Sequence, residues 1–331
     1  MTNGFLLGKF LPPHSGHLFM CRTAMGLCDR LSVLVCSLPD DPIPGHIRHG
    51  WMQQSLPGAQ VLHHDQIVPQ EPKDHPDFWP IWQAICKAAH PERIDYVFGS
   101  EPYIARLAAE LSAEAVLIDP DRLAMPISGT RIRQDPVAAW PFIPGVVRPW
   151  YQKRVVLFGA ESTGKTTLAR QLASDFATVH VPEYGRIHDA NRQPGPWTSA
   201  DFQRIMAGHR AMRAALAPQA GPVLIEDTDP LLTHVWQGYL ADHPGTTLPD
   251  DTADLYLLLD TDQPWLDDGT RYQANPADRA RFQRAALAAL HAVGANVVHV
   301  SGQHGERLAT CRAAITTLLA GPSTIQPDER T

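Results

Sequence analysis

The segment GAESTGKT, residues 159–166, constrains the fold of this chain more than any other stretch of its sequence. It has the spacing G-x-x-x-x-G-K-[ST], follows the β-branched apolar run RVVLF and precedes the helix-forming run KTTLARQLASDF. A glycine-rich turn between a strand and a helix wraps its backbone N–H groups around a phosphate at the helix N-terminus. The pattern therefore predicts a strand, a phosphate-binding loop and a helix in that order.

We expect this loop to bind ATP through Gly159, Glu161, Ser162, Thr163, Gly164, Lys165, Thr166 and Thr167. In such loops the lysine neutralises the β- and γ-phosphate oxygens and the hydroxyl ligates Mg²⁺, so Lys165 is a catalytic candidate and Thr166 a metal ligand. A second Mg²⁺ ligand is expected where PVLIEDTDP ends a strand with Glu226, Asp227 and Asp229. Asp227 is the best candidate, although an aspartate there also serves as a turn or N-cap residue.

Strand-like apolar runs alternate with helix-like stretches along the chain. These runs are FLLG (5–8), LSVLVCS (31–37), AQVLHH (59–64), DYVFGS (95–100), AVLID (115–119), RVVLFGA (154–160), TVHV (178–181), PVLIED (222–227), DLYLLLD (254–260) and NVVHVSG (296–302). Such alternation is typical of parallel sheets with helices on both faces. The run RQDPVAAWPFIPGVVRPWYQK (133–153), rich in proline and glycine, interrupts the alternation. We therefore predict two α/β domains, residues 1–147 and 148–322, and a tail at 323–331.

Composition and charge narrow the classes of partner. The net charge is −7, with 28 Lys+Arg against 35 Asp+Glu and no block of like charges, so nucleic acid is not an expected partner. The five cysteines form no C-x-x-C pair, which favours a reducing cytoplasm over a disulfide framework or a zinc site. Neither a leader peptide nor a membrane span is expected. The oligomeric state is not fixed by the sequence, and a homo-oligomer is compatible with it.

A second candidate site follows the first strand directly, where GKFLPPHSGH occupies residues 8–17. His14 and His17 stand three residues apart at the start of a helix, which places both imidazoles on one face near the positive end of the helix dipole. With Lys9 beside them they suit an α-phosphate under nucleophilic attack, although an isolated pair of this spacing is more often a surface or capping pair. MPISGTRIR (125–133) supports the site, since it leads into another helix of the same domain.

The polar stretch QPWLDDGTRYQANPADRARF, residues 263–282, lies between two predicted strands of the second domain. Its composition suits a lid that closes over phosphates. Arg271 is the leading candidate to meet the transferring phosphoryl group. For Arg279 and Arg281, a solvated position on a helix is the better interpretation.

The two motifs of the first domain are those of a known family. GKFLPPHSGH matches the signature G-x-F-x-P-x-H-x-G-H, and ISGTRIR matches I-S-x-T-x-x-R, of the HxGH nucleotidyltransferases. With GSEPYIARLA between them and the phosphate loop behind, the chain resembles the bifunctional NadR-type family, over roughly residues 3–320. In that family a nicotinamide mononucleotide (NMN) adenylyltransferase is fused to a ribosylnicotinamide kinase. The resemblance implies a Rossmann-like HxGH sheet followed by a P-loop kinase sheet.

The resemblance also implies two reactions that use ATP and Mg²⁺. The kinase phosphorylates nicotinamide riboside to NMN, and the transferase joins NMN to AMP, which releases pyrophosphate and gives NAD. The residues it implies for ATP in the transferase are Gly8, Lys9, Phe10, His14, His17, Ser128, Thr130 and Arg133, with both histidines catalytic. Arg48 is implied near the NMN phosphate. Trp82 is implied beneath the nicotinamide ring, although it is equally a core aromatic at helical spacing with Trp79.

For the kinase, PEYGR (182–186) resembles the riboside-binding stretch of the family, so Tyr184 and Arg186 are implied there, together with Asp229. Glu183 or Asp227 accepts the proton of the ribose 5′-hydroxyl, and the sequence does not choose between them. Enteric members carry an N-terminal helix-turn-helix domain, whereas the first catalytic loop here begins at residue 8. A role in DNA binding is therefore not expected.

Two other functions remain open from the sequence. One is a nucleotidyltransferase fused to a kinase for another acceptor, such as a flavin or a sugar, since only the acceptor pockets distinguish these enzymes. The other is a nucleotide-sensing regulator that binds without turnover. The intact His14, His17, Lys165 and Thr166 disfavour a sensor, which has no need of phosphate-activating groups.

Overall fold

The structure is a computed structural model that describes residues 1–241, 247–265, 272–273 and 275–321. The chain divides into two compact units, Met1–Trp150 and Tyr151–Pro322. Each unit is built on its own five-stranded sheet, and all paired strands are parallel. The predicted fold class, two α/β units with parallel sheets, is confirmed. In the described ranges, no helix is both long enough and apolar enough to cross a membrane.

The first unit alternates strands and helices. Its strands are β1 (Asn3–Gly8), β2 (Arg30–Cys36), β3 (Gln60–His64), β4 (Tyr96–Gly99) and β5 (Glu114–Leu117). Its helices are α1 (Ser15–Leu27), α2 (Gly45–Ser55), α3 (Phe78–Ala89), α4 (Tyr103–Leu111) and α5 (Gly129–Gln134), and the short α6 (Arg148–Tyr151) leads into the second unit. The strands lie in the order β3-β2-β1-β4-β5. The chain thus adds strands on one side of β1 first and on its other side afterwards, so the strand order reverses at β1, between β2 and β4.

Burial explains why the strands of the first sheet are so apolar. Phe5, Leu6, Val33 and Val35 are fully buried because helices cover both faces of the sheet. The helices contribute one apolar side each. In α3, for example, the buried residues are Phe78, Trp82 and Cys86. This packing fixes the ends of β1 and β4 side by side, and the loops that follow them form the first site.

The second unit is built in the same way. Its strands are β6 (Lys153–Phe158), β7 (His180–Val181), β8 (Val223–Asp227), β9 (Leu255–Leu259) and β10 (Val297–Val300). Its helices are α7 (Lys165–Asp175), α8 (Tyr184–Asn191), α9 (Ser199–Leu216), α10 (Pro230–Leu240), α11 (Pro276–Ala292) and α12 (His304–Ala320). The order β10-β9-β6-β8-β7 places β6 between β8 and β9, so the phosphate loop lies between the ends of these two strands.

Candidate active sites

A cavity of about 660 Å³ lies in the first unit, at the carboxyl edge of the sheet where β1 and β4 end. Open α/β sheets bind their ligands in this crevice, at the point where the strand order reverses. Residues of both predicted transferase motifs line it, namely Gly8, Lys9, Phe10, His14, His17, Ser128, Thr130 and Arg133. The fold thus brings together two segments that are far apart in the sequence.

The histidine pair sits at the beginning of α1. His14 is the N-cap residue, and its Nδ1 accepts a hydrogen bond of 3.3 Å from the backbone N–H of His17. The two rings stack with centroids 3.7 Å apart. Burial and the neighbouring Arg122 lower the pKa of His14 to about 4, while burial and His14 hold the pKa of His17 well below its usual value. Both rings are therefore neutral at pH 7, and a neutral imidazole carries one N–H donor. In His14 the donor is Nε2, because its Nδ1 accepts a hydrogen bond.

The ISGTRIR segment is joined to the histidine loop by close contacts. Ser128 is the N-cap of α5 and accepts from the backbone N–H of Arg131 at 3.2 Å. The Arg133 guanidinium donates to the Leu11 carbonyl and, at 3.3 Å, to the Thr130 hydroxyl. A Cβ at Gly129 would lie 2.3 Å from the Leu11 carbonyl oxygen, so the close approach of the two loops requires glycine there.

Arg122 is a cavity residue to which the sequence reasoning gave no role. It lies in a turn that Asp119 holds, because the Asp119 carboxylate accepts from the backbone N–H groups of Leu123, Ala124 and Met125 at 2.8–3.1 Å. Arg122 is close enough to both histidines to lower their pKa values. The DPDR segment at the end of the last strand was the available signal. Its importance becomes visible only in the fold, where Arg122 lies near both histidines.

Two tryptophans of α3 line the same cavity. Trp82 is only 8% exposed and donates its indole N–H to the Pro69 carbonyl at 2.9 Å, so it belongs to the core as well as to the cavity wall. Trp79 is half-buried and packs edge-on against Phe78, with ring centroids 5.0 Å apart. Trp82 is thus a core aromatic that also lines the cavity, and its place beneath a nicotinamide ring stays a prediction. Trp79 is a second aromatic surface in the cavity.

Arg48 corrects one prediction. Its side chain is 0% exposed and is not among the residues that line the cavity. The guanidinium pairs with Asp41 and donates to the carbonyls of Lys9, Cys36 and Ile43. A buried arginine needs such partners, because an unpaired buried charge is very unfavourable. Arg48 thus fixes the loops after β1 and β2, and it is not placed to contact an NMN phosphate.

In the second unit the phosphate loop has the predicted strand-loop-helix geometry. Gly159 and Gly164 adopt φ of +127° and +88°, values that favour glycine. A Cβ at Gly159 would also approach the Leu259 carbonyl oxygen to 2.7 Å. The Lys165 ammonium lies inside the loop, where it donates to the carbonyls of Gly159 at 2.9 Å and Ala160 at 2.8 Å. The lysine is thus held where phosphate oxygens are bound in loops of this type.

Asp227 lies at the end of β8, against this loop. Burial and the neighbouring Glu183 raise the pKa of Asp227, whereas the Thr166 hydroxyl, Lys165 and Arg186 lower it, which places these side chains together. The buried Oδ1 of Asp227 has no hydrogen-bond partner within the described residues. A carboxylate oxygen and a hydroxyl side by side fit the oxygen donors that Mg²⁺ prefers. No cluster of three or more His, Cys, Asp or Glu residues suited to a metal ion occurs in the described ranges.

The two acidic neighbours of Asp227 are buried in other contacts. Glu226 is fully buried and pairs with Arg154 at 2.7 Å and His209 at 2.9 Å. Asp229 is 1% exposed and is the N-cap of α10, where it accepts from the Leu232 backbone and the Tyr256 hydroxyl. Burial raises the pKa of Asp229 to about 6. The prediction that Asp229 contacts the riboside is therefore corrected, because both its oxygens serve the core.

The PEYGR segment forms the entry to α8. Glu183 is the N-cap residue, and its Oε2 accepts from the Arg186 Nε at 2.9 Å. Tyr184 packs its ring over Gly208 of α9, where a Cβ would come within 2.3 Å of the ring. Tyr184 thus joins two helices, while Glu183 and Arg186 stand beside Asp227. Arg271, the leading candidate of the predicted lid, lies outside the described residues.

The predicted lid stretch differs from expectation where it is described. Residues 276–282 are the first turns of α11 and not part of an insertion. Arg279 is buried, with its guanidinium on the carbonyls of Glu161 and Ser162, whereas Arg281 is exposed and pairs with Asp278. The backbone N–H groups of Tyr272 and Gln273 donate to the Glu161 carboxylate at 2.9–3.1 Å. Glu161 therefore anchors residues 272 and 273 to the phosphate loop.

An aromatic group beside the loop was also missed by the sequence reasoning. The Tyr272 ring lies edge-on to Trp197 and Trp236, with centroids 6.1 and 6.4 Å apart. The Arg192 guanidinium lies 4.0 Å above the Trp197 ring. These side chains come from separate parts of the sequence with no shared motif, so only the fold reveals them as one surface.

Comparisons with known proteins cover most of the chain. The model of the AAA domain family matches residues 154–307. The chain is 29% identical over 310 residues to the trifunctional NAD biosynthesis/regulator protein NadR of Escherichia coli (strain K12), a match that covers 85% of this chain and 74% of that protein. It is 28% identical over 324 residues to the protein of the same name from Salmonella typhimurium (strain LT2), covering 90% of this chain and 78% of that protein.

Two solved structures share the whole fold. The crystal structure of NadR protein in complex with NR has a TM-score of 0.75 at 20% identity and covers 100% of this chain and 99% of its own. The complex of NadR protein with NAD and AMP-PNP has a TM-score of 0.74 at 21% identity and covers 100% and 98%. The resemblance to NadR-type proteins, predicted from the motifs, is confirmed.

Proposed function

Because the chain is similar to NadR proteins over most of its length, we propose that it makes NAD in two ATP-dependent steps. The second unit phosphorylates nicotinamide riboside to NMN, and the first unit transfers the adenylyl group of ATP to NMN. The observation that carries this proposal is that each unit contains a different candidate phosphate site. One is built on paired neutral histidines, and the other on a phosphate loop with a lysine and carboxylates.

In the adenylyl transfer, a phosphate oxygen of NMN attacks the α-phosphorus of ATP, and the bond to the oxygen that bridges the α- and β-phosphates breaks. Pyrophosphate leaves and NAD remains. The attacking oxygen of an ionised phosphate carries no proton, so the site needs hydrogen-bond donors more than a base. His14 and His17 supply neutral N–H donors, and Lys9 and Arg133 supply positive charge for the leaving pyrophosphate.

Arg122 belongs to this site in our proposal, as a further cation for the phosphates. Arg122→Ala should lower kcat/KM for NAD formation from NMN and ATP by about a hundredfold, since one oriented donor contributes on that order to transition-state stabilisation. Arg131→Ala is the matched control, because Arg131 lies nearby on α5 but is exposed, donates to the Pro126 carbonyl and does not line the cavity. Equal activity of the two variants would remove Arg122 from the site.

In the phosphoryl transfer, the ribose 5′-oxygen attacks the γ-phosphorus of ATP, and the bond to the oxygen that bridges the β- and γ-phosphates breaks. ADP leaves, and the hydroxyl proton passes to a carboxylate. Lys165 neutralises the β- and γ-phosphate oxygens. Thr166 and Asp227 would hold Mg²⁺, which adds positive charge for the same oxygens when bound. The orphaned, buried Oδ1 of Asp227 supports this placement.

We assign the proton to Glu183, because Asp227 is buried against Thr166 and Lys165 on the phosphate side, whereas Glu183 is the more accessible acid. Glu183→Gln should lower kcat for the riboside about 10²–10⁴-fold, the usual contribution of a general base, with unchanged affinity for the ATP analogue AMP-PNP. Asp227→Asn should instead weaken AMP-PNP binding in the presence of Mg²⁺. Steady-state kinetics and calorimetric titration of both variants check the assignment, which reversed results would overturn.

The aromatic surface of Trp197, Trp236 and Tyr272 supports nicotinamide riboside as the acceptor. The nicotinamide ring of the riboside is a pyridinium cation, and the face of an aromatic ring attracts cations. The position of the Arg192 guanidinium above Trp197 indicates that this face accepts a positive charge. The link from Tyr272 to Glu161 keeps the aromatic surface next to the phosphate loop.

The proposal is tested by supplying the purified chain with ATP, Mg²⁺ and either nicotinamide riboside or NMN, and by separating the products by chromatography. We expect NMN and ADP from the first mixture, followed by NAD, and NAD with pyrophosphate from the second. ATP turnover with a flavin or a sugar but not with the riboside would favour a kinase for another acceptor. Binding of ATP and NAD without turnover would favour a regulator.

A further inference from the structure

Two buried arginines of the second unit lie directly behind the phosphate loop. Arg279 of α11 is 7% exposed and Arg307 of α12 is 2% exposed. Burying a guanidinium is unfavourable unless its N–H groups are satisfied, so their partners indicate what the fold needs from them. Neither arginine had a clear role in the sequence reasoning, which treated Arg279 as a helix surface residue.

Their partners are three consecutive carbonyls of the loop. Arg279 donates from Nε to the Glu161 carbonyl at 3.0 Å and from a terminal nitrogen to the Ser162 carbonyl at 3.2 Å. Arg307 donates to the Thr163 carbonyl at 2.7 Å. Other contacts tie both arginines to the chain after β9, through the carbonyls of Asp260 and Gln263 and the carboxylate of Asp262. Arg307 also donates from Nε to the Gly302 carbonyl, after β10, at 2.8 Å.

These contacts fix the direction of the loop amides. In a planar trans peptide the C=O of one residue and the N–H of the next point in opposite directions. When the carbonyls of Glu161, Ser162 and Thr163 face the arginines, the N–H groups of Ser162, Thr163 and Gly164 face the opposite way. The carbonyls of the two preceding residues, Gly159 and Ala160, instead receive the Lys165 ammonium. Two consecutive carbonyls of the loop thus accept hydrogen bonds from the lysine, and the next three accept hydrogen bonds from the arginines.

We infer that Arg279 and Arg307 are positioning residues that orient the amides of the phosphate loop toward bound nucleotide. A peptide flip at any of the three bonds would present a carbonyl oxygen to the phosphate in place of an N–H donor, which repels an anion. The planar fork of arginine spans neighbouring carbonyls, and a lysine ammonium has no such fork. The inference rests on the proposed function only in taking ATP as the nucleotide of this loop.

The test uses the conservative variants Arg279→Lys and Arg307→Lys, which keep the charge and remove the fork. Calorimetric titration with AMP-PNP and Mg²⁺ should show an affinity loss of about ten- to a hundredfold, by analogy with the loss when a side chain that orients a metal ligand is replaced. The KM for nicotinamide riboside should stay unchanged. Arg281→Ala on α11 and Arg312→Ala on α12 are the matched controls, because both side chains are exposed and pair with Asp278 and Asp175.

Amide hydrogen exchange and AMP-PNP affinity together separate positioning from general stability. Hydrogen exchange of the amides of residues 162–164 should become faster in the lysine variants and stay unchanged in the controls. AMP-PNP affinity equal to that of the controls would overturn the inference. If Arg307→Lys does not fold, the AMP-PNP affinity of Arg279→Lys decides alone. A wild-type chain that binds AMP-PNP but does not phosphorylate the riboside would refute the kinase proposal and leave this inference standing.

Discussion

Lys165→Ala should nearly eliminate phosphorylation of nicotinamide riboside and leave the formation of NAD from supplied NMN intact. The lysine ammonium lies inside the phosphate loop and donates to the carbonyls of Gly159 and Ala160, where loops of this type bind the β- and γ-phosphate oxygens of ATP. Charge develops on these oxygens as the phosphoryl group transfers, so loss of the cation should lower kcat/KM by about a thousandfold. Production of ADP and of NMN measures the first reaction, and NAD formation from NMN and ATP measures the second.

The matched control is Lys153→Ala. Lys153 lies on β6 of the same unit and pairs with Asp254 at 3.4 Å, away from the loop. This variant should retain both activities, which separates a local effect of Lys165 from a loss of folding in the second unit. Loss of NAD formation from NMN in the Lys165 variant would contradict the account, because the transferase site would then depend on the phosphate loop.

His17→Ala should have the opposite effect. We expect NAD formation from NMN to fall by about a hundred- to a thousandfold, since the variant removes the neutral donor that we propose for the α-phosphate and leaves His14 without its stacked neighbour. Phosphorylation of the riboside should be unchanged, so NMN should accumulate when the riboside and ATP are supplied. Product chromatography with time records both effects in one experiment.

The neutral state of the His17 imidazole makes a specific prediction about the pH dependence of the transferase reaction. Burial and its stacked neighbour keep His17 neutral, so its contribution should not fade as the pH rises from 6 to 8. His46→Ala is the matched control, because His46 is exposed on α2 and does not line the cavity. A transferase rate that falls through this pH range in the wild type but not in the His17 variant would show a charged imidazole and contradict the structure.

Much of the fold is predictable because both sheets are parallel and covered on both faces. The strands are then continuous apolar runs, such as LSVLVCS and DLYLLLD, that turn residues separate from helical stretches. The histidine loop and the phosphate loop are equally visible in the sequence, since each motif has glycines and polar residues in a fixed order directly after a strand. Lys165 and the histidine pair are therefore found at the positions that their motifs predict.

The errors concern residues whose role depends on distant partners. The family resemblance implies Arg48 near a phosphate, but its guanidinium donates to the carbonyls of Lys9, Cys36 and Ile43, at the ends of β1 and β2 and in the loop that follows β2. Asp229 looks like an acceptor-site acid, but it caps α10 and accepts from Tyr256, which follows far along the chain. No local pattern encodes either contact. Pairing of this kind is set by tertiary packing, which a single sequence does not display.

The same reason explains the residues that were missed. Arg122 acts through a turn that Asp119 holds, and Trp197 and Tyr272 meet only in the folded unit. Arg279 lies on a helix whose spacing gives no sign that its guanidinium reaches the phosphate loop. Sequence motifs thus identify the candidate phosphate-binding groups, whereas the residues that pack against these groups from distant parts of the chain are found only in the structure.

The central claim is that one chain holds two independent phosphate sites whose reactions follow one another. The most direct test is to mix the Lys165→Ala and His17→Ala variants with nicotinamide riboside, ATP and Mg²⁺, and to measure NAD by chromatography. Each variant alone should form no NAD from the riboside, and the mixture should form it, because NMN made by one variant is used by the other. A mixture that fails to form NAD, although each variant retains its own single reaction, would contradict the account.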